Sequence, residues 1–74
     1  MPRLSRRGVV KFFLPHKGYG FIIPDEGGPE VWFHADACHI ARCDPIMPGD
    51  RVAYEQRQSE KGLRATIVVQ TQDE

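Results

Sequence analysis

Residues 17–34 read KGYGFIIPDEGGPEVWFH, and this stretch decides the fold. Its two ends are short runs of aromatic and β-branched residues. Its middle is a cluster of Pro, Asp and Gly, the residues that turn a chain. Residues 19–23 (YGFII) therefore form a strand that Pro24 ends, residues 25–29 (DEGGP) a turn, and residues 30–34 (EVWFH) a second strand. Side chains along a strand alternate between faces. Tyr19 and Phe21 share one face, and so do Trp32 and His34. His34 is the residue least at home in a dry core, so its face is the wet one. A hairpin then gathers Tyr19, Phe21, Trp32 and His34 onto one exposed surface. Val10, Ile22, Val31, Val52 and either Ile67 or Val68 are left to fill the core.

The same signals continue outward. Residues 8–14 (GVVKFFL) form a strand stopped by Pro15, and residues 50–58 (DRVAYEQRQ) and 62–71 (GLRATIVVQT) form two more around a turn at 59–61. Between His34 and Gly49, Asp36 is placed to N-cap one helical turn over 37–40, and Pro45 and Pro48 exclude a long helix. No sustained helical period occurs anywhere, so the fold class is all-β, a small barrel or sandwich. With 74 residues the chain is read as one small domain over 1–74, with a thin core.

Composition limits function. The 10 basic and 10 acidic residues sum to zero, which by itself argues against a nucleic-acid partner. The sum hides a segregation. Residues 1–20 carry Arg3, Arg6, Arg7, Lys11 and Lys17 with no acid, whereas residues 21–50 carry Asp25, Glu26, Glu30, Asp36, Asp44 and Asp50 against Arg42 alone. Asp73 and Glu74 fall in a tail. Such a distribution predicts a polar body with one basic face. Apolar runs are too short to span a bilayer, and the basic N-terminus is followed by no secretory apolar stretch. Cys38 and Cys43 make no disulfide framework, so the expected compartment is the cytoplasm.

Four exposed rings in one patch are costly unless they bind something. Lys11 and Lys17 stand beside them, and glycines flank Tyr19. Rings interleaved with cations suit unpaired bases: each base stacks, for about 1–3 kcal/mol, and the lysines meet the phosphates. Gly18 and Gly20 are read as clearing the way for a close-lying strand.

KGYGFI resembles a ribonucleoprotein motif of the RRM family, but Pro24 stands where that motif continues to an aromatic residue, and the chain has no room for the two helices of that fold. The resemblance to the cold-shock domain family runs much further. GVVKFF and KGYGFI are similar to the family's G-x-V-K-W-F and K-G-F-G-F-I, EVWFH to D-V-F-V-H, GDRVAY to G-x-x-V-x-F, and KGLRATIV to K-G-P-x-A-x-x-V. The likeness covers about residues 7–69. It implies a five-stranded antiparallel OB-type barrel that binds single-stranded RNA or DNA with low sequence specificity. It also implies that Lys11, Phe12, Lys17, Tyr19, Phe21, Trp32 and His34 form the binding surface, with Phe13, Glu30 and Lys61 at its edge. Several residues depart from the pattern: Phe12 replaces Trp, Leu14 replaces Asn, Leu63 replaces Pro, and Ala35 and Cys43 stand where the family has aromatics. Two lost stacking platforms predict a shorter or shifted footprint and weaker binding, offset in part by Trp32 or by the guanidinium of Arg6, Arg7 or Arg42.

Other chemistries are weaker. His34, Cys38, His39 and Cys43 make H-x₃-C-H-x₃-C, a spacing that matches no common zinc module. No acid–base pair is spaced around either thiol for nucleophilic catalysis. The chain is thus expected to be no enzyme and to hold no metal or cofactor. Its expected partner is single-stranded RNA or DNA, whose backbone Lys11, Lys17 and Lys61 are expected to hold with help from Arg6, Arg7 and Arg64, and no membrane partner is expected. A monomer is the default state and a dimer stays open. The rival class is an OB-fold protein-interaction module with weakened nucleic-acid binding.

Overall fold

The computed structural model describes residues 6–37 and 46–71. Arg3, Cys38, His39, Arg42, Cys43, Asp44, Asp73 and Glu74 lie outside the described residues. So does most of the expected helical turn at 37–40.

Five strands follow one another: β1 (Arg6–Leu14), β2 (Tyr19–Pro24), β3 (Val31–His34), β4 (Arg51–Ser59) and β5 (Gly62–Gln70). They close into a barrel in the order β1-β2-β3-β5-β4. Every pairing is antiparallel except the closing contact of β3 with β5, which is parallel. Closure gives every strand two neighbours, although β3 meets β5 at only two positions. The all-β, five-stranded barrel expected from the sequence is the fold observed.

The punctuation acts as read, within a residue or two. After β1 the chain turns through Pro15, and the amide of Gly18 donates to the Leu14 carbonyl at 2.7 Å. Gly18 has φ +79°, a left-handed conformation that costs a glycine little. Between β4 and β5, Ser59 pairs with Gly62 across a two-residue loop. The Ser59 hydroxyl donates to the Gly62 carbonyl at 2.7 Å and accepts from the Lys61 amide at 3.3 Å, which fixes the tip of this hairpin. The turn after β3 starts earlier than expected. Residues 35–37 form a single 3₁₀ turn, and it is His34 that caps it: the Asp36 amide donates to His34 Nδ1 at 3.0 Å.

Val10, Ile22, Val31, Phe33, Val52, Tyr54, Ala65 and Val68 fill the barrel, joined by Ile46 from the incoming loop. Two irregularities set which side chains point in. In β1 the register slips between Val10 and Phe12, so Lys11 is an extra, bulged residue. Strict alternation would send Phe12 inward behind Val10. The bulge turns Phe12 outward and Phe13 inward, where Phe13 stacks on Phe33 with centroids 5.7 Å apart and planes at 12°. In β5 the slip opposite Glu55 and Gln56 makes Thr66 the extra residue. Ala65 and Val68 consequently both face in, which decides between Ile67 and Val68 in favour of Val68.

Candidate nucleic-acid interface

The outward face of the sheet carries two rows of side chains that run across the strands. Phe12 pairs with Phe21, and Phe21 with Trp32. Leu14 pairs with Tyr19, and Tyr19 with His34. Directly paired residues share a face, so five rings and one leucine occupy a continuous patch. The rings lean on one another: Phe12 to Phe21 at 5.5 Å, Tyr19 to Phe21 at 6.5 Å and edge-on, Tyr19 to Trp32 at 6.2 Å and within 28° of parallel, Trp32 to His34 at 6.2 Å. All are half-buried. Mutual contact restrains the rings, and half-burial leaves part of each side chain accessible.

Phe13 lies apart from this patch, packed beneath it against the core. Gly20 is also buried and faces inward. A methyl group there would collide with the Phe12 carbonyl oxygen and come within 3.1 Å of the Phe33 ring. Gly20 thus lets β1 and Phe33 close over it rather than clearing space for a ligand. Gly18 does lie at the patch, 3.6 Å from His34 Nε2 measured at the position of a would-be Cβ.

Charge is distributed differently from the sequence expectation. The acids of the β2–β3 turn are neutralised by bases that the fold brings to them. Arg6 meets Glu26 at 3.3 Å, Lys11 meets Glu30 at 2.8 Å, and Arg51 meets Asp25 at 2.9 Å. The segregation along the chain is therefore partly cancelled in space. Lys17 and Lys61 carry no carboxylate partner among the described residues. Lys17 lies in the turn before Tyr19, and Lys61 sits at the tip of the β4–β5 hairpin. His34 Nδ1 accepts the Asp36 amide and lies 3.6 Å from the Asp36 carboxylate, which leaves Nε2 as its outward donor.

Lys61, Leu63 and Arg64 overhang the patch across an open cleft of about 840 Å³, whose other wall is Phe21, Glu30 and Trp32. The Arg64 guanidinium lies over the Trp32 ring, 5.2 Å from its centroid, a cation–π contact. Leu14 belongs to the patch and Arg57 borders it, and neither was expected from sequence in the binding surface. Their places depend on a register the sequence does not state. Among the described residues, no three His, Cys, Asp or Glu side chains group to hold a metal ion, and no helix is long and apolar enough to cross a membrane.

This arrangement can be set against known proteins. The family model for the 'Cold-shock' DNA-binding domain matches residues 6–71. The chain belongs to the cold-shock domain family. The cold shock-like protein CspG of Shewanella violacea is 38% identical over 65 residues, which cover 88% of this chain and 93% of that protein. The major cold shock protein of Micrococcus luteus is 38% identical over 61 residues, covering 82% and 91%. The cold shock-like protein CspD of Escherichia coli is 32% identical over 63 residues, covering 85% of each chain. Nucleic-acid binding of the cold-shock type goes with this family.

Proposed function

We propose that the chain binds single-stranded RNA or DNA by stacking bases on Phe12, Tyr19, Phe21, Trp32 and His34, with Lys17 and Lys61 meeting the phosphates. The observation that supports this most is the pair of rows that presents all five rings on one face of the barrel. Stacking is sequence-tolerant because every base has a π face, so preference is broad. Lys11 contributes less than its position implies, since Glu30 holds it. Phe13 supports the patch from below and does not touch the ligand. Binding the unpaired state shifts melting equilibria of structured strands by linkage alone, and on that basis the chain acts as an RNA chaperone or a regulator of transcription or translation, in the cytoplasm.

Trp32 is the only tryptophan and stands at the β3 end of the patch, so its fluorescence tests the proposal directly. Oligo-dT or oligo-U quenches it, and the quench weakens as salt rises. An unchanged signal at low salt, with no retention of labelled oligonucleotide, refutes single-strand binding and leaves the protein-interaction role.

A further inference from the structure

The row Phe12–Phe21–Trp32 does not stop at β3. Trp32 pairs with Arg64 across the parallel closing contact. Arg64 in turn pairs directly with Arg57 across β4 and β5. One lateral row thus crosses all five strands, as three rings followed by two guanidiniums. Both arginines are exposed. Like charges directly opposite in an antiparallel pair repel each other and destabilise the sheet. No carboxylate lies within ion-pair distance of either among the described residues. The Arg64 guanidinium rests over the Trp32 ring. A hollow of about 300 Å³ opens beside the pair, lined by His34, Asp36, Arg57, Ser59, Arg64 and Thr66. Its one acid, Asp36, has a side chain that is 95% exposed and lies 3.6 Å from His34 Nδ1.

We infer that Arg57 and Arg64 form a phosphodiester-binding clamp, which takes the backbone of the strand whose bases stack on the ring row. This rests on the proposed function and extends its footprint from three strands to all five. Neighbouring strands lie about 4.8 Å apart, so the clamp begins within about 10 Å of Trp32. The next phosphate of a stacked strand falls within reach of long arginine side chains at that distance. An anion between the two guanidiniums would remove their repulsion, and their planar donor forks suit phosphate oxygens. Trp32 holds Arg64 in place before the ligand arrives, so little ordering is needed on binding.

The test compares wild type with R57Q, R64Q and the double variant, using labelled oligo-dT and oligo-U and fluorescence polarisation. Tryptophan emission is avoided because Arg64 itself touches Trp32. Each phosphate contact adds about 0.7 to the magnitude of the log–log salt slope for single strands. The double variant loses about 1.4 of slope, which at 0.1 M salt against a 1 M reference is about 25-fold in affinity. Its melting temperature stays the same or rises, as the repulsion is gone. R51Q removes the same charge at the far end of β4 and leaves affinity within about twofold.

A double variant that binds like wild type overturns the clamp and leaves single-strand binding intact. R51Q weakening binding as much as the double variant reduces the effect to overall charge and also overturns it. Wild type failing to bind any oligonucleotide overturns the proposed function and the clamp together. Finally, an oligonucleotide with neutral methylphosphonate linkages binds wild type and the double variant alike. A loss that persists on that oligonucleotide means the arginines read bases, and the phosphate assignment falls.

Discussion

Tyr54→Phe is expected to make the protein more stable. Tyr54 is fully buried in the barrel, between Arg6 of β1 and Val68 of β5 in the register. Its hydroxyl is buried with no hydrogen-bond partner among the described residues. The cold-shock pattern G-x-x-V-x-F has a phenylalanine here. A buried polar group without a partner forfeits its hydration, at about 1–3 kcal/mol. The substitution removes one oxygen and leaves the ring packing untouched, so that cost is returned. For a domain of this size each kcal/mol raises the melting temperature by about 4–8 °C.

The advantage of Tyr54→Phe grows in alkali. Burial holds the Tyr54 hydroxyl above its ordinary value of 10.0; Arg6 opposes this, and Glu26 and Asp25 add to it. Between the unfolded and folded values the unfolded chain has lost this proton and the folded chain keeps it. Stability from this group is therefore full below pH 10.0 and falls as pH rises through the folded value. The phenylalanine variant lacks that loss, so the gap between the two melting curves widens from pH 9 to pH 11. Circular-dichroism melts across that range measure it. A variant that is less stable at pH 7, or a gap that stays flat with pH, refutes the reasoning by showing that the hydroxyl has a partner.

Three further outcomes are expected. Phe21→Ala weakens oligonucleotide binding by about 1–3 kcal/mol, or about 5- to 150-fold, with little change in melting temperature; Phe13→Ala does the reverse, losing about 2 kcal/mol of stability with binding within about twofold, and calorimetry with polarisation on both variants separates the two roles. Gly20→Ala costs about 1–3 kcal/mol or more, because its methyl group meets the Phe12 carbonyl and the Phe33 ring; an unchanged melting temperature contradicts that packing. Glu30→Gln tightens binding about fivefold at 0.1 M salt and steepens the salt slope by about 0.7, because Lys11 is released and a carboxylate leaves the cleft wall.

The strands and the β2–β3 hairpin are legible in the sequence because their signals are local. Pro15, Pro24 and the DEGGP turn mark ends, and alternation from His34 places Tyr19, Phe21 and Trp32 on its face. Phe12 is different. Counting by twos from Val10 puts it in the core, and only the bulge at Lys11 turns it out; the family likeness placed it at the surface without giving that reason. The choice of Val68 over Ile67 hangs on a second bulge of the same kind. Ion pairs such as Lys11 with Glu30 and Arg6 with Glu26 join residues about twenty positions apart, so a tally along the chain reads separation where the fold brings neutralisation. Arg57 was invisible for the same cause, since its place beside Arg64 depends on a shifted register and on a parallel contact between β3 and β5.

The parallel contact of β3 with β5 has a mechanical side. It joins the first three strands to the last two, and it offers only two paired positions, at Trp32 with Arg64 and Phe33 with Ala65. On the proposed function and the clamp, a bound strand lies outside this seam like a hoop on a cask and resists its opening. Ligand at a hundred times its Kd adds about 2.7 kcal/mol to folding, a large share of the 5–15 kcal/mol typical of native proteins. Cleavage by a protease that needs the barrel open would then fall steeply on loading, so unengaged copies would be cleared first and the surviving population would follow the supply of unpaired strands.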